Sequence, residues 1–393
     1  MFWRICFSVA ICFGILQSEV KAQSFPEGFR RNPYGVAGSP WTVSALDMPK
    51  TSTYYDWIPH DHARYITVRP YSPPRGGTAA NDAANPYFWN LEAKSIGRNE
   101  SDRNKFRNYV LRNRGEIWII GNEPERVSQD NLNPTQYAQM FHSYYVTVND
   151  LDPTARFSIA SVGMVANYVA FADVQPYYDA VFSEYKRLYL TPLPLDYWNM
   201  HAYYAGWTTE HAAQPDHMVD DVFRVIIDPY IAYARTVDSG RYSSKPIIAS
   251  EIGLGLPENN SLGLSQAKAM EFVRLYTRRL ADKEAQGIVE SFFWFYGGWI
   301  DHCQATYECL FQSDWKTPSQ TGVVYAQEAR AWDRQFGLEQ ADFNLDRKIG
   351  ILDFSGLVKV FGTSNALLSL DSDPKISLSD LTIFKQVFGL ANQ

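Results

Sequence analysis

Two stretches of the sequence end an apolar run in a carboxylate. Ile117-Trp118-Ile119-Ile120-Gly121 leads into Asn122-Glu123-Pro124-Glu125, and Pro246-Ile247-Ile248-Ala249-Ser250 leads into Glu251-Ile252-Gly253. Two carboxyls facing each other at about 5–5.5 Å can cleave a glycosidic bond with retention of configuration. One, ionised, attacks the anomeric carbon. The other keeps a proton for the leaving oxygen, helped by like-charge repulsion. Taken singly, Asn-Glu-Pro reads as a turn after a strand, and a strand-end Glu reads as an ordinary salt bridge. The two together point to catalysis, with Glu123 and Glu251 as the candidates.

Both need a scaffold that brings strand ends together. Ile117 to Ile120 is apolar and largely β-branched, the pattern of a strand buried on both faces, and Pro124 forbids its continuation as a central strand. Further β-like segments are Tyr34–Gly38, Ser52–Trp57, Tyr65–Pro70, Arg156–Val162, Leu195–Tyr203, Pro246–Ser250 and Ser291–Tyr296. Helical patterns run over Ser101–Arg112, with Ser101 as N-cap, and over Gln136–Asn149 after the opening Asn133-Pro134-Thr135. Others lie near Val219–Ala234 and Ser265–Ala285. Eight strands with helices between the later ones predict an α/β fold, a (β/α)8 TIM barrel. Only about eight residues separate the second and third strands, so the barrel is expected to be trimmed in its first third. On such a barrel both carboxylates fall on the C-terminal rim, where active sites sit.

The ends of the chain differ from this body. Residues 1–22 combine a basic start (Met1 to Arg4), an apolar run from Ile5 to Leu16 too short to span a bilayer, and a small-residue cleavage site at Val20-Lys21-Ala22. They predict a signal peptide and a secreted chain starting near Gln23. The formal charge is −7. Removing Arg4, Lys21 and Glu19 with the signal makes the mature chain one unit more negative. With no basic run, nucleic acid and anionic membrane are not expected partners. Cys6 and Cys12 leave with the signal, and Cys303 and Cys309 are expected to form a disulfide in an oxidising compartment. The aromatic share is 15%, including 11 Trp and 25 Tyr. Such rings fill cores and also suit the faces of sugars. His60-Asp61-His62 offers the ligand types of half a zinc site, but a solvated turn after Pro59 explains it as well. Asn99-Glu100-Ser101 and Asn259-Asn260-Ser261 are formal glycosylation sequons.

From about Glu339 the chain repeats itself. Asp353-Phe354-Ser355-Gly356-Leu357 and the residues after it are echoed by Asp380-Leu381-Thr382-Ile383-Phe384, 27 residues on. Asp342, Asn344, Asp346 and Asp353 occupy positions 1, 3, 5 and 12 of a calcium loop, with the carbonyl of Lys348 at position 7. The second loop has Ser369, Asp371, Asp373 and Asp380. Arg347 and Pro374 stand where such loops take Gly, and proline cannot adopt a positive φ, so the second site is expected to be the weaker.

These motifs, over residues 34–338, resemble the large clan of retaining glycoside hydrolases built on (β/α)8 barrels. The resemblance implies that Asn122 binds the sugar 2-hydroxyl, that Glu123 is the acid/base and that Glu251 is the nucleophile. His201-Ala202-Tyr203 matches the clan's His-x-Tyr, in which Tyr203 orients the nucleophile. Trp294, or else Trp299, matches the floor of the −1 sugar site, and Arg69 matches a residue that assists the nucleophile. Read without the resemblance, His201 suits a satisfied core histidine, Tyr203 and Trp294 suit packing, and Arg69 suits pairing with a structural Asp. Tyr54-Tyr55-Asp56-Trp57 resembles an early strand of a compact β-1,3-glucanase family in this clan. The C-terminal repeat resembles a type I dockerin, which implies structural Ca2+ and a cohesin-type scaffold partner. The expectation is a secreted endo-acting β-glycosidase on a β-glucan or related polysaccharide, with no cofactor for catalysis. The alternatives are a non-catalytic carbohydrate-binding or scaffold protein on the same barrel, and a zinc hydrolase using His60 and His62.

Overall fold

The structure is a computed structural model. It describes residues 30–37, 46, 48, 53–55, 64–71, 89–90, 93–97, 99–204, 214–254, 265–295, 309–312, 317–341, 343, 349–364, 369–370 and 375–388. Among these, eight parallel strands make up the ring: β1 Tyr34–Ala37, β2 Thr53–Tyr55, β3 Tyr65–Val68, β4 Ile117–Ile120, β5 Arg156–Ile159, β6 Trp198–Tyr204, β7 Ile247–Leu254 and β8 Val289–Phe295. They follow one another in chain order. β4 lies between β3 and β5, β7 lies between β6 and β8, and β8 returns to pair with β1, whose other neighbour is β2. A single parallel bridge, Ser158 to Tyr197, joins β5 to β6, and β2 runs beside β3. The return of β8 to β1 is the closure a parallel barrel requires.

The helices pack outside this ring. They are α1 Glu100–Arg112, α2 Pro134–Leu151, α3 Phe171–Tyr189, α4 Pro215–Val222, α5 Asp228–Gly240, α6 Gln266–Ala285 and α7 Gln320–Phe336; a π turn, Phe223–Ile227, joins α4 to α5. Asn133 caps α2 with a full capping box, its side chain accepting Gln136 N–H while Gln136 reaches back. The cap of α1 is Asn99, not Ser101: its side chain accepts Asp102 N–H. The connections from β1 to β2 and from β2 to β3 lie almost wholly outside the described residues, so the expected trimming falls there too. No helix among the described residues is long and apolar enough to cross a membrane.

Strand alternation splits the apolar residues into two cores. Ile117 and Ile119 of β4 pack inside the ring with Ala37, Tyr65, Tyr197, Ile248 and Phe293. Trp118 and Ile120 belong to the larger core between strands and helices, where Phe106 and Tyr109 of α1 meet Trp118 edge-on at 5.8 and 6.0 Å. Every residue of β4 is therefore buried. That is why its sequence reads as one unbroken apolar run rather than an alternating one.

The C-terminal segment has its own small core of Ala341, Ile349, Leu357, Leu370, Ile376 and Phe384. Two helices frame it, α8 Ile351–Lys359 and α9 Leu378–Phe388.

Candidate active site

The end of β4 is shaped by its backbone. Gly121 sits at φ +97°, and a Cβ there would come within 3.0 Å of Asp130 Oδ2 and 3.1 Å of Met140 and Tyr137. Glycine is what lets the chain turn so tightly against α2. Glu123 is also left-handed, at φ +41°, a strained conformation for a side-chain-bearing residue and one that collects at functional sites. It is held by its N–H donating to Ser161 O at 2.9 Å and its carbonyl accepting Arg126 N–H at 3.0 Å. Asn122 is anchored by a buried carboxylate: its backbone N–H donates to Asp130 Oδ2 at 2.6 Å and its side-chain amide donates to Gln129 at 3.3 Å. Arg69, at the end of β3, donates to Asp130 at 2.7 Å and to Gln129 at 3.0 Å. Arg69 thus supports the Asn122 turn through a structural Asp.

Glu251 reaches the ring interior through a bulge. On β7, Ile248 faces inward while Ala249 and Ile252 face the helix layer. Strict alternation would send Glu251 outward. The pairing shifts instead: Asn199 pairs with Ile248 and His201 with Glu251, so two steps on β6 match three on β7. The extra residue turns Glu251 inward. β6 itself alternates regularly. Trp198, Met200, Ala202 and Tyr204 join the outer core, and His201 and Tyr203 take the opposite face.

The inward side chains converge. His201 Nδ1 lies 3.1 Å from Glu123 Oε1 and 3.3 Å from Glu251 Oε2. Tyr203 O–H donates to Glu251 Oε2 at 2.6 Å, and Arg126 donates to Glu123 Oε2 at 3.0 Å. Glu123 and Glu251 are each only 4% exposed, and His201 is fully buried. Burial disfavours an imidazolium, but Glu251 and then Glu123 outweigh it and hold the His201 pKa above its ordinary value. Burial pushes Glu123 upward, yet the His201 and Arg126 contacts prevail and hold its carboxyl below the ordinary range. Both directions favour a proton on His201, between Glu123 and Glu251. One ligand atom from each of Glu123, His201 and Glu251 lies within 4.8 Å of the others, so the trio also has the donor types to hold a cation.

Among solved structures, the chain is similar to a GH128 (subgroup II) endo-β-1,3-glucanase from Sorangium cellulosum. The TM-score is 0.49 at 16% identity, covering 75% of this chain and 98% of that one. A second GH128 (subgroup II) endo-β-1,3-glucanase, from Pseudomonas viridiflava, gives 0.42 at 18% identity over 76% and 96% of the two chains. A GH128 (subgroup III) curdlan-specific exo-β-1,3-glucanase from Blastomyces gilchristii gives 0.41 at 14% identity over 75% and 97%. No family model and no curated protein matches the sequence.

Not every expected site residue points into the site. Trp294 faces away from the site. It is fully buried in the outer core and packs on Tyr325 of α7 at 5.8 Å, while its neighbours Phe293 and Phe295 take the inner face. The expected sugar-platform role of Trp294 is thus corrected by strand parity. Phe295 meets Tyr203 edge-on at 5.6 Å. Trp299, His60 and His62 lie outside the described residues, as do residues 1–22 and Cys303. Cys309 is buried and disulfide-bonded.

Arg126 and Asp130, on the turn after β4, carry no expectation from the sequence, and Glu125, past Pro124 on the outgoing loop, is expected to lie outside the chemistry. Glu125 Oε1 accepts Gly163 N–H at 2.8 Å from the segment that follows β5. The one available signal was the density of charge directly after an apolar strand.

In the C-terminal segment, Asp342, Asn344, Asp346, Lys348, Asp371 and Asp373 lie outside the described residues. Asp353 and Asp380 are buried at matching places, accepting Gly350 N–H and Ser377 N–H at 2.8 Å each. Asp380 also accepts Leu370 N–H at 2.7 Å.

Proposed function

We propose that the protein is a retaining β-glycosidase that hydrolyses a polysaccharide, a β-glucan or related β-glycan, by double displacement. The observation that carries this reading is the convergence of two buried carboxyls, from β4 and β7, on one imidazole nitrogen at 3.1 and 3.3 Å. Glu251 attacks the anomeric carbon, with Tyr203 O–H and His201 N–H holding its Oε2. Glu123 serves the leaving oxygen, and Asn122, anchored by Asp130 and Gln129, presents its amide to the sugar 2-hydroxyl.

The proton inventory follows from the charges. In this reading the mobile proton rests on His201, 3.1 Å from Glu123 Oε1 and favoured there by the two carboxyls. As Glu251 bonds to the anomeric carbon its negative charge vanishes, and the imidazolium loses one of its two stabilising partners. Its proton passes to Glu123 while Glu123 protonates the leaving oxygen and the glycosidic C–O bond breaks. In the second half, water attacks the anomeric carbon and its proton returns through Glu123 to His201. Glu251 is released as a carboxylate.

The test uses Glu123→Ala and Glu251→Ala on a panel of β-1,3-, β-1,4- and mixed glucans, mannan and xylan. Both variants should lose polysaccharide hydrolysis. With an aryl glycoside and azide, Glu123→Ala should give the β-glycosyl azide and Glu251→Ala the α-azide. Full activity in either variant would sink the assignment.

The same proposal gives the C-terminal module structural calcium and a cohesin-type partner, and has the chain exported after removal of residues 1–22. Two buried carboxylates at matched positions, Asp353 and Asp380, suit the last ligand place of each loop. Calcium bound there would be held in part by Asp353 and Asp380 and would neutralise their charge.

A further inference from the structure

The turn that carries Glu123 carries a second carboxyl close to the site. Glu125 Oε1 accepts Gly163 N–H, and its Oε2 is buried with no hydrogen-bond partner among the described residues. Gly163 is the point where three groups meet. A Cβ there would come within 2.5 Å of Arg126 Nε, 2.7 Å of Arg126 Cζ and 2.9 Å of Glu123 Oε1. Glu125 therefore grips the Gly163 peptide by its N–H, while the bare Cα gives room to the guanidinium that donates to Glu123. The same segment continues to Val165, which pairs with Tyr203, the donor to Glu251.

Charge makes Glu125 more than a clamp. Among the described contacts Glu123 pairs with Arg126 and shares His201 with Glu251, and Glu125 adds a third carboxyl two residues from Glu123. Burial and the nearby Glu123 push its pKa up, against the Gly163 N–H and Arg126. Its charge is felt by His201 from β6, by Tyr177 and Tyr178 from α3, and by Glu123 and Arg126 on its own turn. Gripping Gly163 needs only an acceptor oxygen, which a glutamine supplies. A carboxyl that leaves one oxygen buried and unpaired is the costlier choice.

We propose that Glu125 is a third working carboxyl of this site: a positioning residue that holds Gly163 beneath Arg126 and Glu123, and whose negative charge favours the proton on His201. It rests on the glycosidase reading of Glu123 and Glu251.

Glu125→Gln keeps the acceptor and removes the charge. In the full chain without substrate, the His201 imidazole titration followed by 15N NMR should move down by about half a pH unit or more. The alkaline limb of kcat/KM, on whichever glycan the parent cleaves, should move the same way. Glu125→Ala, which also loses the grip on Gly163, should lower kcat further at every pH. A folded Glu125→Gln with the parent's His201 titration and pH profile would overturn the inference and leave the glycosidase reading intact. A shifted His201 in a protein that cleaves no glycan would support the electrostatic role of Glu125 and remove the glycosidase reading.

Discussion

Replacing His201 by Asn removes the cation between two buried carboxylates, and the structure sets the size of the effect. At 3.1 and 3.3 Å, each attraction is about 5 kcal/mol at an effective dielectric of 20. In the variant one carboxyl can take up a proton, which relieves a mutual repulsion of about 3.5 kcal/mol on the same scale for ligand atoms up to 4.8 Å apart. Burying the imidazolium costs several kcal/mol more. What remains is about 2–4 kcal/mol, in line with the loss usually seen when a buried ion pair is deprived of one partner. The His201 pKa is raised above its ordinary 6.5, so its stabilisation is complete below that value and is lost as pH climbs through the folded pKa. The Glu123 pKa is lowered from 4.5, so its share is present above that value and is lost as pH falls through the folded pKa. Urea unfolding of parent and His201→Asn should therefore differ most between about pH 4.5 and 6.5 and converge as pH rises through the folded His201 pKa. A stability difference that is constant across this range would refute the imidazolium assignment.

Tyr203→Phe removes one O–H donated to an ionised carboxylate and little packing, so kcat should fall by about tenfold to a hundredfold with an almost unchanged melting temperature. An unaltered kcat would detach Tyr203 from Glu251. Trp294→Ala should cost about 3–5 kcal/mol of stability as a core truncation. Trp294→Phe should leave KM for the glycan at the parent value; a KM raised tenfold in Trp294→Phe would restore Trp294 to the sugar site. Chelation of the full chain should reduce the helical circular dichroism contributed by α8 and α9, and calcium should restore it; a spectrum blind to chelator would count against calcium in the C-terminal loops.

Much of the scaffold was legible because burial leaves a composition. The eight strands were visible as short β-like runs, most of them rich in apolar or β-branched residues, since a strand covered on both faces carries few charged side chains. α2 was visible from its period and from Asn133-Pro134, which is its capping box. α3 was not anticipated. It has Pro176 inside its first turns and starts after Ala170, whose side chain makes no capping bond, so it lacks the usual signals of a start. The displaced cap of α1 has a similar origin: both Asn99 and Ser101 can cap, and only the geometry at Asp102 chooses.

The sequence by itself determined which carboxylates end buried strands and therefore which residues can meet at one rim. It also carried Asn122, His201 and Tyr203 into the same neighbourhood, because strand ends in a parallel ring are adjacent by topology. Tertiary structure alone decided which way each side chain points. A run such as Phe292-Phe293-Trp294-Phe295 is apolar on both faces, so its parity cannot be read. The ring places Phe293 inside and Trp294 outside. The bulge that turns Glu251 inward leaves no mark in Ala249-Ser250-Glu251, because it is a property of pairing with β6. The grouping of Arg126, Glu125 and Gly163 around Glu123 joins two connections from different strands, and only packing brings those together.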